Sequence, residues 1–263
     1  MTAGVLPVWW DDAADGPTNM AADELLAEEA ERCGGLVIRL YAWSEPTVSL
    51  GAFQPIAEAE SSTAIAGLPI VRRPSGGGAL VHGTDLTYAA AVPKSHPWGG
   101  SPQALYDAMH GAMVAVLGML GFDARLHVPS TDDPPADALL CFARRSPGDV
   151  VVRRPGRPAG PLDPKVMGSA QRRLGTTVLQ HGSLLVATCP TVIDAARHDG
   201  LAELAGQPPE WTAESLADRW TALVAEPLGI AREFQSGAFS ATRGPDIASR
   251  AGRFRDRRWT ARR

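Results

Sequence analysis

Hydrophobic positions along the chain switch between the two-residue period of strands and the 3.6-residue period of helices. Val5 to Trp10 opens with a short strand-like run. Met20 to about Arg32 has helical spacing, with Thr18 or Asn19 as cap, Asp23 and Glu24 in the first turn, and Gly34-Gly35 as the stop. Leu36 to Trp43 alternates, with Leu36, Ile38 and Leu40 on one face. Pro46 breaks that strand and Thr47 to Leu50 makes another. Ile70-Val71 and Ala79-Leu80-Val81 read as strands joined in a hairpin by a glycine-rich turn, and Leu86 to Val92 as the next strand.

Ser101-Pro102 predicts a helix start, a capping serine before proline at the first helical position. Leu105, Met109, Ala112, Met113, Val116, Leu117 and Leu120 then give one buried face, ended by Gly121. The two methionines read as core fillers. Phe122 to Val128, Asp149 to Arg153 and Val178 to Val186 look like strands. Ser130 to Ala136 is an acidic, proline-containing loop, and Arg153 to Pro164 a mobile hairpin tip rich in Pro, Gly and Arg. Thr212 caps a last helix carrying Leu216, Trp220, Leu223 and Val224 on one side. With no linker and no internal repeat, residues 1–263 are expected to form a single α/β domain. Its sheet should be mixed and largely antiparallel, because short turns join neighbouring strands.

Composition narrows the class without naming it. The chain has 263 residues, 44% hydrophobic and 21% charged, which is ordinary for a soluble globular protein. Its net charge of −4 argues against nucleic acid as the main partner. Three widely spaced cysteines, Cys33, Cys141 and Cys189, suit a reducing cytoplasm better than a disulfide framework. No signal-peptide pattern and no apolar run of about 20 residues is present, so a cytoplasmic protein without a membrane partner is expected. The last fifteen residues hold seven arginines, read as a solvated terminal segment with Phe254 and Trp259 packed down.

Four stretches carry candidate chemistry. In Val71 to His82, two arginines precede three consecutive glycines. Glycines lose much backbone entropy on ordering, so the run suggests backbone N–H groups brought close to a ligand, with Arg72 and Arg73 available for a carboxylate or phosphate. The Gly-Lys-Ser/Thr of a phosphate loop and the helix of a dinucleotide fingerprint are both missing. Lys165 stands beside Gly168, Ser169 and Ala170, small residues that permit close approach, where a fixed ammonium could polarise an oxygen. His181 precedes a glycine in a strand and fits either a structural or a site role. Cys141, in Leu139-Leu-Cys-Phe142, has the apolar setting of an inert buried cysteine.

Together, Arg72-Arg-Pro-Ser-Gly-Gly-Gly-Ala-Leu-Val-His82, Lys165-Val-Met-Gly-Ser-Ala-Gln-Arg-Arg173 and Leu179-Gln-His-Gly-Ser183 resemble the lipoate–protein ligase and octanoyltransferase family. Met20 to Leu26 and Tyr41 to Gly51 fit too, so the resemblance spans about 8–230 and leaves a basic segment at 231–263. It implies the α/β fold of biotin/lipoate ligase catalytic domains, akin to class II aminoacyl-tRNA synthetases, with helices flanking the sheet. It assigns Arg72, Ser75, Gly76, Gly77, Gly78 and His82 to the acyl pocket, with Gly168, Ser169 and His181 beside them, and Lys165 to the acyl carbonyl. One octanoyltransferase branch carries its cysteine in an Ala-Cys-Phe segment before that lysine, and Cys141, 24 residues before Lys165, matches it. Asp85-Leu-Thr-Tyr88 also resembles that branch.

The implied reaction moves octanoate from acyl carrier protein through Cys141 to a lysine of a lipoyl carrier domain, such as the glycine cleavage H protein or a 2-oxoacid dehydrogenase subunit. It needs no cofactor, and a monomer is expected. Gly78, where the branch more usually has arginine, keeps open a short lipoate–protein ligase using ATP and magnesium. A non-catalytic carrier-domain or cofactor binder is the third reading.

Overall fold

The structure, a computed structural model, describes residues 4–133, 138–192, 198–206 and 209–262. Residues 134–136 of the expected acidic loop, and Arg263, lie outside them. The main sheet contains β1 (Val5–Trp10), β2 (Val37–Tyr41), β6 (Asp85–Pro93), β7 (Ala124–Leu126), β8 (Val150–Val152), β9 (Lys165–Leu174), β10 (Thr177–Leu185) and β11 (Ala231–Phe234). Their order is β11-β1-β2-β6-β10-β9-β8-β7. β1 runs parallel to both of its neighbours, and every other pairing is antiparallel. The mixed, largely antiparallel sheet expected from the sequence is therefore present.

Alternation on the strands gives each face its own core. Tyr88, Ala90 and Val92 of β6 join Leu36, Ile38 and Leu40 against α3 (Pro102–Met119) and α5 (Ala213–Ala225), where Met109, Met113 and Trp220 are buried. Ala89, Ala91, Val37 and Tyr41 face the other way, onto α1 (Gly16–Cys33). Alanines at that contact let the helix lie close to the sheet. α1 is buried around most of its circumference because α7 (Gly244–Arg255) covers its outer side through Ile247, Ala251 and Phe254. Each fully buried Leu, Ile or Phe here is worth roughly 1.5–3 kcal/mol.

Two local expectations need correction. α1 starts at Gly16, not near Met20, and its cap is Asp15, whose carboxylate accepts from Thr18 N at 2.9 Å. Pro17 follows in the first turn, a stronger start signal than Thr18 or Asn19, and Asp23 and Glu24 fall a turn further in. The glycine stretch is also not a hairpin. β4 (Ile70–Arg72) and β5 (Leu80–His82) do not pair with each other; both flank β3 (Thr47–Leu50), β4 in parallel and β5 antiparallel. The glycines cross over β3 rather than turn back beside it.

The basic end is packed and paired. Beyond α6 (Phe239–Thr242), Arg243 and Arg250 reach Glu28, Arg253 meets Glu24, Arg255 meets Asp15, and Arg257 in α8 (Arg257–Ala261) meets Glu60. Phe254 is buried and Trp259 packs beside it at 5.2 Å, as expected, while the arginines neutralise acids of α1. α2 (Ile56–Glu60) and α4 (Leu201–Leu204) complete the helices named here. No helix among the described residues is long and apolar enough to cross a membrane.

Candidate active site

A ladder irregularity places the lysine. Val150 of β8 pairs with Met167, but Val151 pairs with Lys165, so one extra residue bulges out of β9. Without it, Lys165 would share the face of Met167 and enter the α3 core. With it, the Lys165 ammonium turns to Asp149, just before β8, and lies 2.8 Å from its carboxylate. Both side chains are almost fully buried. Asp149 also accepts from Ser146 N at 2.7 Å and from the Tyr106 hydroxyl at 3.0 Å.

Cys141 sits in a single helical turn, Cys141–Ala143, and its Sγ lies 3.4 Å from Lys165 Nζ. Two residues 24 apart in sequence are therefore neighbours in space. Burial works against the lysine's charge, yet the Cys141 sulfur and the Asp149 carboxylate hold its pKa above the ordinary value. An ammonium at that distance stabilises negative charge on the sulfur, the reactive form of a cysteine nucleophile. The apolar neighbours that suggested an inert thiol are present in Phe142 and Leu80, but so is a positive charge, the Lys165 ammonium, beside the sulfur.

Glycines make this packing possible. A Cβ on Gly78 would stand 3.0 Å from the Cys141 backbone, so a side chain there would push the Cys141 turn away. Ala79 N donates to Leu139 O at 2.9 Å and Cys141 N to Ala79 O at 2.7 Å, which explains glycine at this position. A Cβ on Gly168 would meet Lys165 Cε at 2.5 Å and Nζ at 2.8 Å. The end of a flexible side chain can move aside, but only by leaving the buried Asp149 carboxylate, so Gly168→Ala should lower the melting temperature. It should also lower turnover about a hundredfold by displacing the ammonium, both effects checked by kinetics beside a melting curve.

Cys141 and Lys165 open onto a cavity of about 110 Å³, lined also by Met20, Tyr41, Trp43, Leu80, Gly77 and Arg73. One water needs roughly 10–15 Å³ on that measure, so there is room for a small chain. Met20, Tyr41, Trp43 and Leu80 give it apolar surface, beside the polar Arg73, His82 and His181.

The remaining residues singled out in the sequence divide into lining and support. His82 lines the cavity, stacks on Trp43 at 4.0 Å and is held by Asp85 at 2.8 Å and Ser49 at 2.8 Å. Burial alone would raise the Asp85 carboxyl, but His82, Ser183 and Thr87 pull it down to about 2. His181 also lines the cavity, with Nδ1 donating to Asp23 at 3.1 Å and Nε2 bonded to Ser75 Oγ. Asp23 in turn binds the fully buried Arg39 at 2.9 Å and Tyr41 OH at 2.8 Å. Ser169 lines the wall, bonded to His110 Nε2 and Tyr88 OH, each at 2.6 Å.

Gly77 and Gly78 line the cavity, while Ser75 and Gly76 stand behind them. Arg72 does not reach it: its side chain points to Thr260, Gly51 and Gln54. Arg73 faces the cavity instead, donating to Ser49, Gly76 and Gly78 carbonyls at 2.6–3.2 Å. No carboxylate pairs with it among the described residues, and burial lowers its pKa to about 10. Asp149, Tyr106 and His110 escape sequence reasoning. The signal available for Asp149 was its place after Ser146-Pro-Gly and before three valines, a polar residue at the mouth of a buried strand.

The family model of the lipoyl protein ligase A/B catalytic domain matches residues 15–207. Octanoyltransferase LipM of Anoxybacillus flavithermus is 37% identical over 179 residues, covering 64% of this chain and 60% of that protein. The same enzyme of Geobacillus kaustophilus is 36% identical over 179 residues, with the same coverage. The match thus spans about 60% of the length of these relatives. Among solved structures, lipoate-protein ligase A bound with ATP superposes with a TM-score of 0.69 at 17% identity, covering 97% of this chain and 98% of that one. A bi-partite lipoate protein ligase from Thermoplasma acidophilum gives 0.69 at 16% identity, covering 99% and 98%. The expected fold is the one these structures share.

Proposed function

Because the chain belongs to the lipoyl protein ligase A/B catalytic domain family, we propose that it is a cysteine-dependent octanoyltransferase of protein lipoylation. The observation that carries this reading is the Cys141–Lys165 contact at 3.4 Å in a cavity whose exposed lining is mostly apolar. The identity to octanoyltransferases named LipM supports it.

On this reading the Cys141 thiolate attacks the thioester carbonyl of octanoyl-acyl carrier protein. The C–Sγ bond forms, the donor's C–S bond breaks, and the carrier thiol leaves with a proton from solvent. The octanoyl chain lies along Leu80 towards Met20 and Tyr41. The neutral amine of a lipoyl-domain lysine then attacks the acyl-enzyme, an amide forms, C–Sγ breaks, and the amine's proton passes to solvent. Lys165 stabilises the thiolate before each acylation and the oxyanion during it. Asp149 and Tyr106 keep that ammonium in place. Cys141, Lys165, Arg73, Gly77, Gly78, His82, Gly168, Ser169 and His181 form the site, with Ser75 and Gly76 behind it and Arg72 outside the cavity.

A thioester is already activated, so this route uses neither ATP nor magnesium; a lipoate–protein ligase would need both. The reaction suits a cytoplasmic protein meeting an acyl carrier protein and a lipoyl domain as a monomer. Incubation with octanoyl-acyl carrier protein should add one octanoyl group to Cys141, read by peptide mass spectrometry. An unmodified Cys141, with acylation of the lipoyl domain only when free lipoate and ATP are supplied, would overturn the proposal in favour of the ligase.

A further inference from the structure

A hydrogen-bonded path runs from the C-terminal helix α8 to the Cys141 turn without entering the cavity. Trp259 Nε1 donates to the Arg72 carbonyl at 2.9 Å, and Arg72 Nε donates back to Thr260 O at 2.7 Å. Arg72 Nη1 donates to Gly51 O at 2.7 Å and to Gln54 O at 2.8 Å. The buried Gln54 side chain takes the path further: its Oε1 accepts from Gly51 N and its Nε2 donates to Leu139 O, both at 3.0 Å. Leu139 is two residues before the nucleophile, and its carbonyl is the one that Ala79 N also binds.

From this geometry we propose that Gln54, held by Arg72 and Trp259 from the C-terminal strap, is a positioning residue for Cys141. The inference rests on Cys141 being the nucleophile. The turn that bears Cys141 is only three residues long, and on the glycine side it is tethered by a bridge between Ala79 and Leu140. That bridge supplies two bonds, Ala79 N to Leu139 O and Cys141 N to Ala79 O, and the Gln54 bond adds a third hold, on the Leu139 carbonyl, from the opposite, C-terminal side. The matched family segment ends at residue 207, so the strap that anchors this tether lies beyond it. Arginines at 243, 250 and 253 hold the strap to α1 through Glu28 and Glu24, which gives the basic terminus a purpose in the site. Arg72, read from sequence as a pocket residue, acts one layer behind the pocket.

The test is Gln54→Met, which keeps the side-chain length and removes both bonds. In the full-length protein the rate of octanoyl transfer should fall about tenfold in kcat with KM unchanged. Iodoacetamide should alkylate Cys141 several-fold more slowly, followed by peptide mass spectrometry. Trp259→Phe, which keeps the ring against Phe254 but loses the bond to Arg72, should show the same two effects at about threefold. Glu60→Gln, which frees only the surface Arg257, should leave both rates at wild type. If Gln54→Met fails to fold, Trp259→Phe carries the decision. Wild-type kcat and alkylation in the folded variants overturn the positioning role. A wild-type protein whose Cys141 takes no octanoyl group overturns the nucleophile reading instead, and the alkylation rates still report on the tether.

Discussion

Cys141→Ser should abolish octanoyl transfer, with a fall of at least about a thousandfold, the scale seen when a covalent nucleophile is removed from an intact site. The substitution is nearly isosteric and Cys141 is only half-buried, so the fold should persist. The histidines nearest the cavity are already committed elsewhere. His82 is bonded to Asp85 and Ser49, His181 to Asp23 and Ser75, and His110 to Gly148 O and Ser169, so both ring nitrogens of each are occupied. Burial also pushes the His110 pKa down to about 4. A thiol is a much stronger acid than a serine hydroxyl, and here an ammonium stands 3.4 Å from the sulfur. Cys33→Ser and Cys189→Ser should transfer at the wild-type rate, since neither lines the cavity with Lys165. Transfer from octanoyl-acyl carrier protein to a lipoyl domain, measured for all three variants, checks the result. Full activity of Cys141→Ser would leave covalent catalysis by this residue untenable.

What the sequence could show follows from what has a period. The strands and long helices announce themselves because each buries one face or both, and the alternation of Leu36, Ile38 and Leu40 is visible in one dimension. Period cannot tell which of two adjacent arginines faces a ligand. Arg72 and Arg73 point to opposite sides, as neighbours on an extended chain must, and which side holds the cavity depends on β3 lying between β4 and β5. The same crossing makes the glycine stretch look like a hairpin in sequence. Lys165 was legible through its small neighbours, but its burial depends on a bulge, which leaves no trace in hydrophobic pattern. Asp149 was hidden because an acidic residue at the first position of a strand ordinarily reads as solvated; only the ammonium it meets shows otherwise. The paired arginines of the terminus illustrate the converse. Their charges look like a solvated tail until the acids of α1, more than 200 residues earlier, come beside them.

Lys165→Met should lower transfer by a hundredfold or more, since removing one fixed charge donor to a developing oxyanion costs roughly 10²–10³ in rate. Methionine preserves most of the stem that packs near Phe142, so the loss isolates the charge. It also strands the buried Asp149 carboxylate, and stability should drop by a few kcal/mol for an uncompensated buried charge, read by urea denaturation. The double variant Lys165→Met with Asp149→Asn should recover much of that stability and none of the activity. The pH dependence separates charge from proton transfer. Burial opposes the ammonium, but Cys141 and Asp149 raise the Lys165 pKa above its ordinary 10.5, so the group stays charged until the solution is more alkaline than that. Activity should therefore show no alkaline loss from this lysine below about pH 10. Asp149→Asn removes one of the two charges that oppose burial, so the alkaline limb should move down towards neutral pH. A wild-type rate that rises through pH 7 to 9 and tracks loss of the Lys165 proton would make this residue a base, and the electrostatic role argued for it would fail.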